Sequence, residues 1–334
     1  MSSVLRILFS RTLHLLQAMW YPLDIVSGLI FKALRGRTQH ASDSEAYDTS
    51  CPQISATDGC NEHTDTMSHV EIIEVRSYYP PGVSEIIGRG GECFVGAIDE
   101  FTVLKYPCIH GEYERIRMEA QLLDVLGSHP RIIASKGLTE DGLVLQRASN
   151  GSMHDYLISQ SFIPLDRKLL WCKQAAEAVS YIHGKRVIHC DINLRNLLLD
   201  GNLDILLADF QGMLKSADGD TLLDGLSREC SKSYQPRVHG DYACVATDLF
   251  ALGSAIYFIM TGHEVFPELD SWEDDEEILS RFQNGLFPND NHPCSQITEK
   301  CWKQQYRQAA EIVSDLCFIL EARCYQEDEG GRKM

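Results

Sequence analysis

V-I-H-C-D-I-N-L-R-N-L-L-L-D, residues 187–200, sets an aspartate, Asp191, five positions before an asparagine, Asn196, ahead of an apolar run and an Asp200-Gly201-Asn202 turn signal. Leu197–Leu199 and Ile205–Ala208 flank that signal, and Leu203 and Asp204 complete the loop. Apolar runs on either side of Asp-Gly predict a β-hairpin. A hairpin returns the chain on itself, so Asn196, just before the first strand, comes close to Asp209, just after the second. One hard oxygen ligand from each side suits Mg²⁺ whose remaining ligands are phosphate oxygens. Asp191, a short turn upstream, is placed to accept or orient the proton of an attacking hydroxyl. Asp and Asn are also favoured at turns for ordinary hydrogen-bonding reasons, so the stretch alone supports plain loop caps as well.

Other segments bear on the choice. I-I-G-R-G-G-E-C-F-V, residues 86–95, is a glycine-rich turn between two strand signals. Gly88, Gly90 and Gly91 let backbone approach a phosphate chain closely, although a simple hairpin loop has the same composition. The strand V-L-K follows and ends in Lys105. A lysine in an apolar strand needs a partner for its ammonium. Glu119, fourteen residues on, is a candidate, against the plainer reading of a surface lysine and a surface glutamate.

Around these segments the pattern changes halfway. Residues 83–147 hold short β-branched runs punctuated by Gly and Asp, with one helix over 112–126 that turns Ile116, Ala120, Leu123 and Leu126 to one face and stops at Gly127. From Pro164 helices dominate: 165–183, closed by Gly184; 246–262, apolar on nearly all sides and therefore buried; and 304–320, amphipathic. Strands first and helices after predict an α+β unit of two lobes, a small β-rich one with one helix and a larger helical one. It is expected over residues 70–326, with a polar tail at 327–334.

The chain has 334 residues and a net charge of −18, which excludes nucleic acid as a default partner. Residues 1–37 carry five Lys or Arg against one Asp, a net of +4, leaving −22 for the remainder. In segment 1–36, Leu5, Leu8, Leu16, Met19 and Leu23 recur at helical spacing opposite Arg6, Ser10, His14 and Gln17. Its longest uncharged run, Thr12 to Leu23, is 12 residues, short of the ~20 a spanning helix needs. The pattern suits contact with a membrane surface, or a helix docked on the protein's own core. Residues 37–69 are rich in Ser, Thr and Asp and read as a disordered linker. Twelve cysteines without a C-x-x-C pair read as reduced thiols, which points to the cytoplasm, with segment 1–36 peripheral to a membrane. The acidic run E-L-D-S-W-E-D-D-E-E, 268–277, is a solvated helix start or a docking surface for basic substrates.

Taken in order, these motifs resemble a eukaryotic-type protein kinase catalytic domain, over residues 83–320. V-L-K-Y-P, H-x-D-I-x-x-R-N-L-L-L-D and K-C-W-x-x-x-Y-R are similar to kinase-like proteins of filamentous fungi. The resemblance implies ATP and Mg²⁺ as cofactors and a protein substrate. Gly88, Gly90, Gly91 and Val95 would cover the nucleotide. Lys105 would bind its α- and β-phosphates and pair with Glu119. Leu145 would be the gatekeeper, and the backbone of Gln146 and Ala148 would face adenine. Asp191 would be the catalytic aspartate, Asn196 and Asp209 the metal ligands. Asp248 would hold the catalytic-loop backbone.

Several positions depart from the pattern. Cys93 stands at the third loop glycine and Gln211 at the D-F-G glycine, where a positive φ would strain it. Asn193 replaces the lysine of serine/threonine kinases, while Arg195 fits the tyrosine-kinase pattern. Arg237 stands where A-P-E has its glutamate, so the expected ion pair to an arginine near the last helix, Arg307, would be missing. The alternatives are thus an active kinase, a pseudokinase acting as an interaction module, and a small-molecule phosphotransferase of related fold. Cys190 replaces the arginine that pairs with a phosphorylated loop. Transfer is therefore expected to survive phosphatase treatment, and its loss would count against this reading.

Overall fold

The structure, a computed structural model, describes residues 79–238 and 243–331. Segment 1–36 and the linker 37–69 lie outside the described residues, which all fall in one unit, 73–334. A five-stranded antiparallel sheet comes first, in the order β1 (Glu85–Arg89), β2 (Cys93–Ala97), β3 (Thr102–Pro107), β5 (Leu143–Gln146) and β4 (Ser135–Leu138). Helix α1 (Glu114–Leu126) runs between β3 and β4. Its buried face holds Ile116, Ala120, Leu122, Leu123 and Leu126, and also Glu119. Gly127, at φ +67°, ends it and donates its N–H to Leu123 O.

The remaining helices are α2 (Met153–Ser159), α3 (Leu165–Gly184), α4 (Val245–Thr261), α5 (Asp275–Gln283), α6 (Ser295–Trp302) and α7 (Ala309–Gly331). The two-part, α+β arrangement is the expected one. Helix α4 is enclosed along most of its length. Leu252, Ile256 and Ile259 are fully buried, and such side chains contribute roughly 1.5–3 kcal/mol each. Gly253 permits the close approach of α6, since a Cβ there would lie 2.5 Å from that of Cys301. The acidic run precedes and opens α5, where Arg281 pairs with Glu277 at 2.9 Å and with Glu268. The nine cysteines from Cys93 to Cys317 are free thiols.

Two boundaries differ from expectation. Gly184 is the last residue of α3 rather than its stop, and the left-handed turn falls on Arg186, φ +61°. The last helix begins at Ala309 rather than 304 and continues to Gly331, past the expected end at 320.

The predicted hairpin forms from β7 (Leu197–Leu199) and β8 (Ile205–Leu207), with Leu197 opposite Leu207. Its turn is built differently from the Asp-Gly signal. Leu203, not Gly201, has the left-handed backbone, φ +62°. Asp200 Oδ1 accepts from the N–H groups of Asn202 (2.8 Å) and Asp204 (2.9 Å). Helix α3 pins this turn: Trp171 Nε1 donates to Leu203 O at 2.7 Å, and buried Gln174 bridges Asp204 Oδ1 (2.6 Å) and Ile205 N (3.0 Å). A third sheet orders β10 (Thr221–Asp224), β9 (Met213–Lys215) and β6 (Val187–Ile188). The chain therefore leaves β6 into the Asp191 loop and returns through Asp209 into β9.

Candidate active site

Lys105 and Glu119 meet because β3 and α1 both turn a polar side chain inward. Lys105 is 7% exposed and Glu119 fully buried, and their charged atoms lie 2.5 Å apart. Lys105 also contacts Asp209 Oδ1. Burial works against the ammonium, but the carboxylates of Asp209 and Glu119 outweigh it and raise its pKa above lysine's ordinary value. Burial raises the pKa of Glu119, the more enclosed acid. Asp209 is held below the usual carboxylate range, because the Lys105 ammonium outweighs the desolvation it suffers. Its side chain keeps 41% exposure, so it presents oxygen to the open side of the cluster.

The two loops that carry the remaining acids are tied together. His189 Nε2 and Ala208 O lie 2.9 Å apart, and the His189 ring meets Phe210 edge-on, centroids 5.1 Å apart. Ala208 N donates to Asn196 O at 2.9 Å, which sets Asn196 beside the start of the Asp209 segment. Phe210 N donates to Glu119 Oε1 at 3.3 Å. From α4, Asp248 accepts the N–H groups of His189 (2.8 Å) and Cys190 (3.0 Å), while His183 Nε2 lies 2.8 Å away. These bonds hold Cys190 in a left-handed backbone, φ +65°, which a non-glycine residue adopts only when its surroundings fix it.

Asp191 follows Cys190 on the loop that Asp248 holds. Asn193 Nδ2 donates to its Oδ1 at 2.8 Å and Asn196 Nδ2 to its Oδ2 at 3.0 Å. Desolvation pushes the Asp191 pKa up to about 6. Since the Asn196 amide nitrogen faces Asp191, its oxygen is the atom left for a cation. A carboxylate from Asp209 and this carboxamide oxygen are a hard-oxygen donor pair that fits Mg²⁺, with phosphates completing the shell.

The strain expected at Gln211 does not occur. Asp209 takes the left-handed conformation instead, φ +64°, and Asp tolerates that region better than Gln. Close approach is met by the next glycine: a Cβ at Gly212 would lie 2.0 Å from Ile188 O. The carbonyl of Gln211 accepts from Ser227 N at 3.1 Å. Cys93 opens β2 rather than sitting in the loop, and burial pushes its thiol up to about 11. In the turn itself Gly90 N donates to Cys93 O at 2.8 Å, a Cβ at Gly88 would touch Val95 at 3.4 Å, and Gly91 has open space around it. Leu145 is buried beside Val103. Gln146 gives its N–H to Ala134 O at 2.8 Å, while the Ala148 N–H makes no hydrogen bond among the described residues.

Arg237 has a partner that its sequence position does not suggest. It pairs with Glu229, eight residues earlier, at 2.9 Å, and stacks over Tyr234 at 4.3 Å. The Glu229 side chain is fully enclosed and that of Arg237 is 9% exposed. Arg307 is exposed, lies ahead of α7, and forms no ion pair among the described residues.

Residues 102–325, about two thirds of the chain, match the Protein kinase domain family. The chain belongs to the protein kinase family. Similar curated proteins include serine/threonine-protein kinase SIK1 of Rattus norvegicus, 33% identical over 155 residues, covering 45% of this chain and 20% of that one. Human NUAK family SNF1-like kinase 1 is 27% identical over 62% of this chain and 32% of its own. The probable serine/threonine-protein kinase MARK-A of Dictyostelium discoideum is 25% identical over 56% and 17%. The chain thus spans a third or less of the length of these relatives. The family match begins in β3, so the role of the Gly88–Gly91 turn in this kinase domain rests on its geometry. Three links had no readable sequence signal: the His189–Ala208 bond, the Asn193 contact to Asp191, and the Glu229–Arg237 pair.

Proposed function

We propose that the domain transfers the γ-phosphoryl group of ATP to a serine or threonine hydroxyl of a protein substrate. The observation that carries this is the convergence of Lys105, Glu119 and Asp209 in one ion cluster, with Asn196 and Asp191 on the adjoining loop. The acceptor class follows the names of the relatives.

Bound ATP supplies the group to be moved, and Mg²⁺ neutralises its charge. Lys105, held charged and oriented by Glu119, positions the phosphates. Asp209 and the Asn196 oxygen take the cation. Asp191 Oδ atoms orient the acceptor hydroxyl and take its proton as its oxygen bonds to the γ-phosphorus and the bond from that phosphorus to the β–γ bridging oxygen breaks, releasing ADP. The Gln146 carbonyl, at the end of β5, and the Ala148 N–H just beyond it would face adenine. The departures that suggested an inert interaction module are accommodated: Gln211 avoids a left-handed backbone, Cys93 packs within β2, and Arg237 is paired.

Purified full-length chain, Mg²⁺ and labelled ATP, with peptide acceptors carrying Ser, Thr or Tyr, provide the test. Lys105→Ala is expected to lower transfer by about 10²–10³-fold. Equal labelling by parent and variant, or nucleotide binding without transfer, overturns the proposal.

A further inference from the structure

Asn193 uses both ends of its carboxamide at once. Its Nδ2 donates to Asp191 Oδ1 (2.8 Å) and to Asp191 O (3.2 Å). Its Oδ1 accepts from Arg195 N (2.8 Å) and from Asn196 N (3.3 Å). The orientation follows from these partners, because the oxygen faces two N–H groups and the nitrogen faces two oxygens.

We propose that Asn193 is a positioning residue, a clamp that fixes the carboxylate of Asp191 and registers it to the turn bearing Asn196. The inference rests on the phosphoryl-transfer reading and names a residue that sets its geometry. With Asn193 on Oδ1 and Asn196 on Oδ2, each carboxylate oxygen has one donor, so rotation about the terminal torsion breaks both bonds. Each oxygen still has a lone pair for a substrate hydroxyl. No other side chain of this length meets both demands: Asp supplies the acceptor without the donor, and a lysine supplies a donor without the acceptor that caps the turn. Where serine/threonine kinases place a cation, residue 193 is neutral, and its contribution is geometric.

Asn193→Asp separates the two roles. It keeps the turn cap and sets a second carboxylate against Asp191. Misplacement of a reacting group by about 1 Å costs up to about a hundredfold, so kcat is expected to fall by roughly ten- to a hundredfold. KM for ATP and the melting temperature should stay near those of the parent. Asn193→Lys returns a donor and should recover several-fold of the lost kcat. Parent-like kcat in Asn193→Asp overturns the proposal. So does a fall of kcat in both variants that tracks a loss of melting temperature, the mark of a cap alone. If the parent transfers no phosphate, the kinase reading fails separately. The clamp is then judged by a crystal structure of Asn193→Asp: a carboxylate of Asp191 turned away supports it, and one left in place overturns it.

Discussion

Asp191→Asn is expected to lower phosphoryl transfer by about 10²–10⁴-fold, the usual contribution of a positioned general base. Nucleotide affinity should stay within a few-fold of the parent. The asymmetry follows from the site's layout. The groups proposed to hold phosphates and cation are Lys105, Asp209 and the oxygen of Asn196; of these residues Asp191 contacts only Asn196, and there the amide nitrogen, which a carboxamide oxygen can still accept. The new amide keeps one oxygen, which still accepts from one of the two neighbouring carboxamides. It loses the basicity that the hydroxyl proton requires. Desolvation has already brought that basicity up, with the pKa at about 6, close to what a base working near neutrality needs while remaining ionised. Initial rates with labelled ATP, beside titration with a fluorescent nucleotide, check both halves. Transfer within tenfold of the parent would remove Asp191 from the reaction.

Glu229→Ala should be the most destabilising single change in the segment that follows Asp209. It leaves the Arg237 guanidinium enclosed without a counter-charge, and breaking such a pair costs about 3–5 kcal/mol. In a domain of this size that lowers the melting temperature by roughly 6–20 °C. Burial works against the Arg237 charge and the Glu229 carboxylate overcomes it, so the pair stands or falls together. The double change Glu229→Leu with Arg237→Met, which removes both charges, should melt near or above the parent. Thermal unfolding of parent, single and double variants decides it; singles and double melting alike would show that the pair is not the anchor. The pair is internal to this segment and needs no phosphate, which agrees with the expectation that phosphatase leaves transfer intact.

What could be read from the residues alone was local. Strands β2, β3 and β5 announce themselves by β-branched runs between Gly and Asp, and α1, α3 and α4 by apolar spacing or by sheer apolar content. The five acid, amide and ammonium groups of the site lie in such elements or next to them. Short or exposed elements stayed hidden. Ser135–Leu138 is half-buried at best and carries a glycine, and Met153–Ser159 spans fewer than two turns. The Asp-Gly signal located the hairpin but not the left-handed residue, because Trp171 and Gln174 of α3 dictate the turn from outside it. Gln211 escapes a left-handed backbone for a related reason: the path over Ile188 is set by Gly212, one residue on. Glu229 and Arg237 are paired by tertiary folding, which no spacing rule anticipates.

The contact between Lys105 and Asp209 has a consequence for ligand entry. The ammonium from the sheet answers two acids at once, Glu119 of α1 and Asp209 of the loop beyond β8. On the proposed reading, admitting a polyphosphate and its cation would be a swap of partners, the lysine turning to phosphate and the aspartate to metal. Affinity reports only the difference between two well-matched sets of charges, so nucleotide and divalent ion should each bind poorly alone and strengthen one another when both are present.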